Sequence, residues 1–350
     1  MRTKISVWAA GGRLGTLHGT AQELTYPKFC LMVRDLVLNR LLNEAEGDAI
    51  LLDGIVEELK RRGRVHPIGK GSRFTRVAGA DASSYNFPLS SRFLAIVSSI
   101  VHSIPTSRRF FLPPLAIELP HTISDEKFNE ILCLRREAFL YETATEYARS
   151  RVDDVELLLI DGPLVFSDWF GTIGREEDRR LLASKVNELL AACEQEGIAV
   201  AAVVKRTTAR YYLKYLDLGR ATAFSDSSVL VHVLRRGTRT ELFSPASSFM
   251  DGIDFIVDSF YARLSGDDLI SPIRIDVPRF SQEYVDDIAG YCYATAYLLG
   301  IPLPIIKADE DARLTREFMR EIYAEALCRV RRRFGSVSWL SVRDGRWLRE

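Results

Sequence analysis

Paired cysteines, excess charge and long apolar runs are all missing from this 350-residue chain. Its five cysteines (Cys30, Cys133, Cys193, Cys292, Cys328) lie far apart and form no CxxC pair. That excludes a zinc ribbon and a disulfide framework, and an odd, scattered set reads as reduced thiols in a cytoplasmic protein. Lysine and arginine number 47, and so do aspartate and glutamate. A molecule-wide basic field is therefore excluded, and any contact with nucleic acid must come from a local patch. No apolar run approaches the roughly 18 residues of a membrane span. The first residues, Met1-Arg-Thr-Lys-Ile-Ser-Val-Trp, begin like a signal peptide, but Gly11, Gly12 and Arg13 interrupt any apolar core. The run Gly11-Gly-Arg-Leu-Gly15 lacks the Gly-Lys-Ser/Thr ending of a phosphate loop and has no strand–helix context. Internal repeats and low-complexity tracts are absent.

What remains is ordinary globular material, 47% apolar and 27% charged. Residues 1–70 read as a helical N-terminal segment, with helices around Phe29–Leu42 and Ala49–Lys60. From about residue 71 the pattern changes. Arg76–Asp81, Arg92–Val101 and Phe110–Leu119 read as strands, the third interrupted by prolines. Ser124–Arg149 reads as a helix with Ser124 as N-cap and acids in its first turn. Val155–Asp161 is a nearly continuous apolar strand, the pattern of a sheet covered on both faces. A helix over Glu176–Glu196 closes at Gly197, and Ile198–Lys205 is a further buried strand. Three strands, helix, strand, helix, strand is an α/β order with a mixed sheet flanked by helices. The polar stretch 206–250 reads as an insertion. Strands at Ile253–Tyr261 and Ile273–Val277 follow, then C-terminal helices at Gln282–Leu299 and Asp309–Phe334. Residues 71–335 thus form the main domain, and 336–350 a tail.

Two acids are placed for chemistry. Asp81 and Asp161 each end a strand beside small or turn residues, where ligands commonly meet α/β sheets. Asp-Gly-Pro is also plain turn chemistry. Between them lies the 124–149 helix. On a helical wheel Phe128, Ile131, Leu132, Arg135, Ala138 and Phe139 share a stripe, Glu142 falls within it, and Glu137 points away. A carboxylate on a core-facing stripe needs a partner or a cation. An Arg135–Glu142 ion pair would also satisfy it. Three acids on adjacent elements suit two-metal phosphodiester chemistry with two Mg²⁺ or Mn²⁺ ions held by hard oxygen ligands. Lys205, at the end of the next strand, could meet the scissile phosphate.

Four stretches together resemble the NurA nucleases. They are Val77-Ala-Gly-Ala-Asp-Ala-Ser, Leu158-Leu-Ile-Asp-Gly-Pro-Leu, Val203-Val-Lys-Arg-Thr and Gly300-Ile-Pro-Leu-Pro-Ile-Ile-Lys-Ala-Asp-Glu-Asp-Ala. The resemblance covers roughly residues 70–330. It implies an RNase H-like core and a manganese-dependent 5′→3′ exonuclease and single-strand endonuclease. It further implies a homodimer that works on DNA with a HerA-like hexameric ATPase in DNA end processing. It maps the catalytic and metal residues to Asp81, Glu142 and Asp161, with Lys205 as a catalytic residue at the end of a strand. The first motif carries Ala82 where the family has glycine. The last carries Asp309 where the family has histidine, and the five histidines (His18, His66, His102, His121, His232) lie elsewhere. Asp309 is either a fourth metal ligand or the N-cap of the helix it begins. The capping-box partner is missing, because residue 312 is alanine.

Local positive charge for DNA lies at Lys205, Arg206, Arg210 and Lys214, with Tyr211, Tyr212 and Tyr215 interleaved. That mixture suits base stacking with phosphate contact, and equally suits helical core packing. Lys60–Arg64 and Arg329–Arg333 are further basic runs. A different reading keeps the fold but makes the chain a non-catalytic DNA clamp or adaptor subunit of the ATPase, with Asp309 as the mark of a degenerate site.

Overall fold

A computed structural model describes residues 26–87, 89, 92–218 and 224–336, without the side chains of 43–50 and 298. The glycine run at 11–15 and His18 lie outside the described residues, as does nearly all of the 336–350 tail. Two compact units divide the chain after Gly54. In the first, the described residues belong to one helix, α1 (Tyr26–Arg62), which continues where two helices are expected. Many of its apolar side chains, Phe29, Met32 and Leu36 among them, are exposed.

The second unit is built on a ten-stranded sheet. Its strands are β1 (Val65–Pro67), β2 (Val77–Phe87), β3 (Arg92–Ser103), β4 (Arg109–Phe111), β5 (Leu115–Pro120), β6 (Leu157–Asp161), β7 (Ala199–Val204), β8 (Thr238–Thr240), β9 (Val257–Arg263) and β10 (Ile273–Pro278). The order is β1-β8-β9-β10-β7-β6-β2-β3-β4, with β5 also on β3. The β2–β6 and β6–β7 pairs are parallel and the others antiparallel. Helices α2 (Asp125–Ser150) and α3 (Glu176–Glu196) make the parallel crossovers. An antiparallel β2-β3-β4/β5 ribbon followed by parallel β6 and β7 is the RNase H-like order expected from the sequence. The expected third strand is two, split at Pro113 and Pro114, which cannot donate to a ladder. The expected insertion at 206–250 holds α4 (Tyr211–Tyr215), α5 (Asp226–Leu230) and β8, so part of it extends the sheet.

Two layers cover the sheet. Phe128, Leu132 and Phe139 of α2 pack with Ala95 and Val97 of β3 on one face. On the other, Leu157, Leu159, Ala201 and Val203 pack with Ile288 and Cys292 of α6 (Val285–Ala294) and Ile305 of α7 (Leu303–Ala312). Leu157–Ile160 is fully buried because both faces are covered, and each such leucine contributes about 1.5–3 kcal/mol. The caps follow the sequence. Ser124 Oγ accepts from Lys127 N–H at 3.1 Å, and Gly197 closes α3 with φ 69°. The expected helix over 282–299 stops at Ala294, and β11 (Ala296–Tyr297) pairs with β12 (Ile301–Pro302) before α7. The expected long helix from Asp309 is two helices, α7 and α8 (Arg316–Phe334). Thr315 separates them by capping α8, its hydroxyl accepting from Phe318 N–H at 3.3 Å. Among the described residues no helix is long and apolar enough to cross a membrane.

Candidate metal centre

The register of two parallel strands places the first two acids. The last β2–β6 pair is Ala80↔Ile160. Asp81 and Asp161 are therefore the next residues on neighbouring strands, side by side where the ladder stops. Asp81 does not end its strand, because β2 runs on to Phe87 against β3 alone. Side chains alternate along a strand, so Asp81 shares a face with Gly79. That face carries α7. A Cβ on Gly79 would collide with the carbonyl group of Pro304, so only glycine lets α7 lie this close. The far end of α7 is fastened to the sheet by Asp311. Its carboxylate receives Arg109 Nε at 2.8 Å and pairs with His102 Nδ1 at 2.6 Å.

The helix laid down in this way brings Asp309 over Asp81 and Asp161. One carboxylate oxygen from each of the three lies within 4.8 Å of the other two. Asp309 sits in the last part of α7, not at its start, so the N-cap role does not apply. Its second contact is an ion pair with Arg313 at 2.7 Å. Lys205, one residue beyond β7, donates to Asp161 Oδ2.

The electrostatics show the strain of gathering these acids. Burial pushes Asp81 up to about 8, and the neighbouring charges of Asp161 and Asp309 push the same way. Burial raises Asp161 to about 6, against the opposing pull of Lys205, with Asp309 and Glu137 adding to the rise. Like charges in a partly desolvated cluster behave so unless a cation joins them.

The structure does not bring Glu142 to this cluster. Helix α2 turns it to the α3 side, where Lys185 lies 3.4 Å away and 43% of its side chain is exposed. The carboxylate that α2 turns toward the end of β6 is Glu137, which is buried and adds to the charge felt by Asp161. Arg136 Nη2 donates to one of its oxygens at 2.7 Å, and the other, Oε2, is buried with no hydrogen-bond partner. Gly162, with φ +153°, lets the chain leave β6 past it, since a Cβ there would sit 3.1 Å from Glu137 Oε2. A broad apolar coat explains the missed phase: Phe128, Ile131, Leu134, Ala138 and Tyr141 are all buried around α2, so no single stripe marks its inner face. The usable signal was local, with Leu134 and Tyr141 flanking Glu137 one turn away on either side.

The expected DNA contacts divide. Arg206, Arg210 and Lys214 are exposed on the segment after β7. Tyr211 is buried at 6% exposure, with the Arg274 guanidinium 5.3 Å from its ring centre, so it cannot stack on a base. Core packing accounts for Tyr211 and Tyr212. The basic run at the end of α1 is a solvated face, where Lys60 pairs with Glu57 at 2.7 Å, and Arg61 and Arg62 pair with Glu58.

Comparison with known proteins places the fold and the family. A family model described as the NurA domain matches residues 75–314. No curated protein sequence matches the chain. The NurA nuclease from Sulfolobus solfataricus superposes with a TM-score of 0.64 at 17% identity, covering 87% of this chain and 98% of that one. A NurA structure bound to dAMP and manganese superposes at 0.54 with 10% identity, covering 87% of this chain and 97% of its own. At these identities the superpositions speak for the fold. The domain match spans most of the chain, and the chain belongs to the NurA family.

Proposed function

We propose that this NurA-family nuclease holds manganese between Asp81, Asp161 and Asp309, with Glu137 completing the site, and there hydrolyses DNA. The observation that carries the reading is the convergence of three carboxylates from β2, β6 and α7 within 4.8 Å. The donor set fits a hard divalent cation, being all oxygen. The unpartnered Oε2 of Glu137 supplies a buried acceptor beside it. A bound ion would neutralise these acids and stabilise charge developing on a phosphodiester. Lys205 is then free to exchange Asp161 for a phosphate oxygen. Arg136, itself close enough to feel the Asp81 charge, balances Glu137. Exposed Arg206, Arg210 and Lys214 lie on the segment that leaves β7 and hold the strand by its phosphates.

The reading extends to 5′→3′ exonuclease and single-strand endonuclease activity, to a homodimer, and to work with a HerA-like hexameric ATPase in DNA end processing. These rest on the family. Apolar side chains exposed along α1, such as Phe29, Met32 and Leu36, are a surface that a second copy would cover. The clamp or adaptor alternative rested on Asp309 replacing histidine. Its convergence with the other acids weighs for catalysis. The test is cleavage of linear duplex and single-stranded DNA by the full chain with Mn²⁺ or with EDTA, each with and without the ATPase. Metal-dependent cleavage is the expected result. Binding without cleavage under every metal condition would leave the clamp. Light scattering reads the oligomeric state, and monomer alone at micromolar concentration would remove the dimer.

A further inference from the structure

The segment that leaves Asp161 carries an exposed tryptophan on a rigid mount. A short 3₁₀ turn, Asp168–Gly171, follows β6, and Trp169 within it is 52% exposed. Its ring stands nearly perpendicular to Phe170, at 84° with centroids 5.1 Å apart. Phe170 packs in turn on Phe166, at 5.0 Å, which is fully buried. The turn is pinned on both sides. Asp168 Oδ1 accepts from Ser248 N–H at 2.7 Å, Ser248 Oγ at 2.9 Å and Ser247 Oγ at 3.1 Å. Upstream, Asp276 Oδ2 accepts from the N–H groups of Leu164 and Val165 at 3.1 and 3.0 Å. Asp276 is itself fixed by Arg274, whose Nε donates at 2.8 Å.

An exposed aromatic held this firmly loses little freedom when something stacks on it. Its surroundings point to what that is. The Ser248 N–H holds Asp168 below the usual carboxylate range, and the nearby Lys214 ammonium contributes. Arg274 ties the loop that carries Trp169 to the basic segment that follows Lys205, its Nη2 donating to Val165 O at 2.8 Å and its guanidinium lying 5.3 Å from the ring centre of Tyr211. Cationic side chains beside an open aromatic face are the elements of single-strand recognition, since every base has a π-face. Of the tyrosines that the sequence offered for this task, Tyr211 and Tyr212 are buried, and Tyr215, though 52% exposed, packs its ring against Tyr212 and Phe243.

We propose that Trp169 is a stacking platform for a nucleobase of the DNA strand whose backbone reaches the acid cluster. The proposal rests on the nuclease reading and deepens it. Trp169 contributes affinity for bases, while Arg206 and Lys214 contribute affinity for phosphates.

The test compares binding of the full chain, in EDTA so that nothing is cleaved, to an oligo-dT strand and to an abasic strand of equal length. Fluorescence anisotropy of end-labelled strands reads both. The wild type is expected to prefer oligo-dT about tenfold, as one stacked base supplies. Trp169→Ala should lose that preference to within about twofold while binding the abasic strand unchanged, and Trp169→Phe should keep most of it. Lys214→Ala should weaken both strands alike. If wild type shows no preference for bases, or if Trp169→Ala retains it, the proposal is overturned. Cleavage with Mn²⁺ is scored separately, so loss of the nuclease reading and loss of the stacking role are told apart.

Discussion

The carbonyl of Pro304 lies over the backbone of Gly79 so closely that a Cβ on Gly79 would meet its carbon and its oxygen. This contact sets the height of α7 above the sheet and, five residues on, the position of Asp309. Gly79→Ala should force α7 away. The cost is that of an overpacked core, about 1–3 kcal/mol, read as a lowered melting temperature. Cleavage should fall further than stability, because the displaced helix carries Asp309, the proposed third ligand. Gly69→Ala, where a Cβ would meet nothing within 4 Å, is the control and should change stability by no more than about 0.5 kcal/mol. Full activity in Gly79→Ala at a lowered melting point would mean that α7 does not set the site.

Glu137→Gln should lose cleavage by about 10–100-fold, the range for disturbing a metal site's supporting groups. Glu142→Gln should cleave like the wild type, since it removes only a half-exposed pair with Lys185. Turnover of the two variants at matched Mn²⁺ decides between the two acids. The reverse pattern would place the helical ligand on the α3 side and refute the geometry described for α2.

The raised Asp81 and Asp161 make metal-free stability depend on pH with a definite sign. Both groups hold protons in the folded protein that the unfolded chain, titrating near 4, has already released. Their contribution to stability is complete below about pH 4 and is lost as pH rises through about 6 for Asp161 and about 8 for Asp81. Melting temperature in EDTA should therefore fall between pH 5 and 8.5, and Asp81→Asn should flatten that fall while abolishing cleavage. Binding Mn²⁺ displaces the proton, so the stabilisation it confers should grow over the same window. A metal-free melting curve that rises through pH 8 in the wild type, and rises equally in Asp81→Asn, would show that the cluster is not proton-loaded.

Much of the core was legible because strong local patterns agreed with the final packing. Leu157–Ile160 is apolar throughout and is buried throughout, and its end at Asp161 is the end of the strand. Ser124 and Gly197 cap α2 and α3 as their types require. The placement of Asp81 beside Asp161 was legible, though not the length of its strand, since β2 continues past the end of β6 on pairing with β3 alone. Glu137 was illegible because burial surrounds α2 rather than striping it. The α7–α8 break was hidden because Thr315 caps a helix within a stretch whose periodicity runs on without interruption. The close approach at Gly79 depends on a residue more than two hundred positions away, and no local pattern marks it.

Asp309, with Ala82, is one of the two departures from the motifs that this chain resembles, and its environment separates the two roles that the sequence allowed. A cap would stand at the start of α7, which Pro302 precedes and Leu303 begins. Asp309 stands six residues further on, where its carboxylate approaches Asp81 and Asp161 and pairs with Arg313. That pair is exposed, with 63% of the Arg313 side chain open to solvent, so its loss should cost only about 0.3–0.5 kcal/mol. Removing the carboxylate also relieves repulsion on both neighbours, which Asp309 helps to raise. Asp309→Ala should therefore melt within about a degree or two of the wild type without metal, as a change of that size implies. Its Mn²⁺ affinity should nevertheless fall by about 10–100-fold, the range seen when a metal site loses part of its support. Asp309→His puts an imidazole in place of the carboxylate, and an imidazole protonates near pH 6.5 and then cannot ligate. That variant should cleave well above pH 7.5 and lose activity below pH 6.5 more steeply than the wild type. Paired melting, metal titration and a pH profile of cleavage for the two variants decide the matter. Unchanged Mn²⁺ affinity in Asp309→Ala would remove Asp309 from the site.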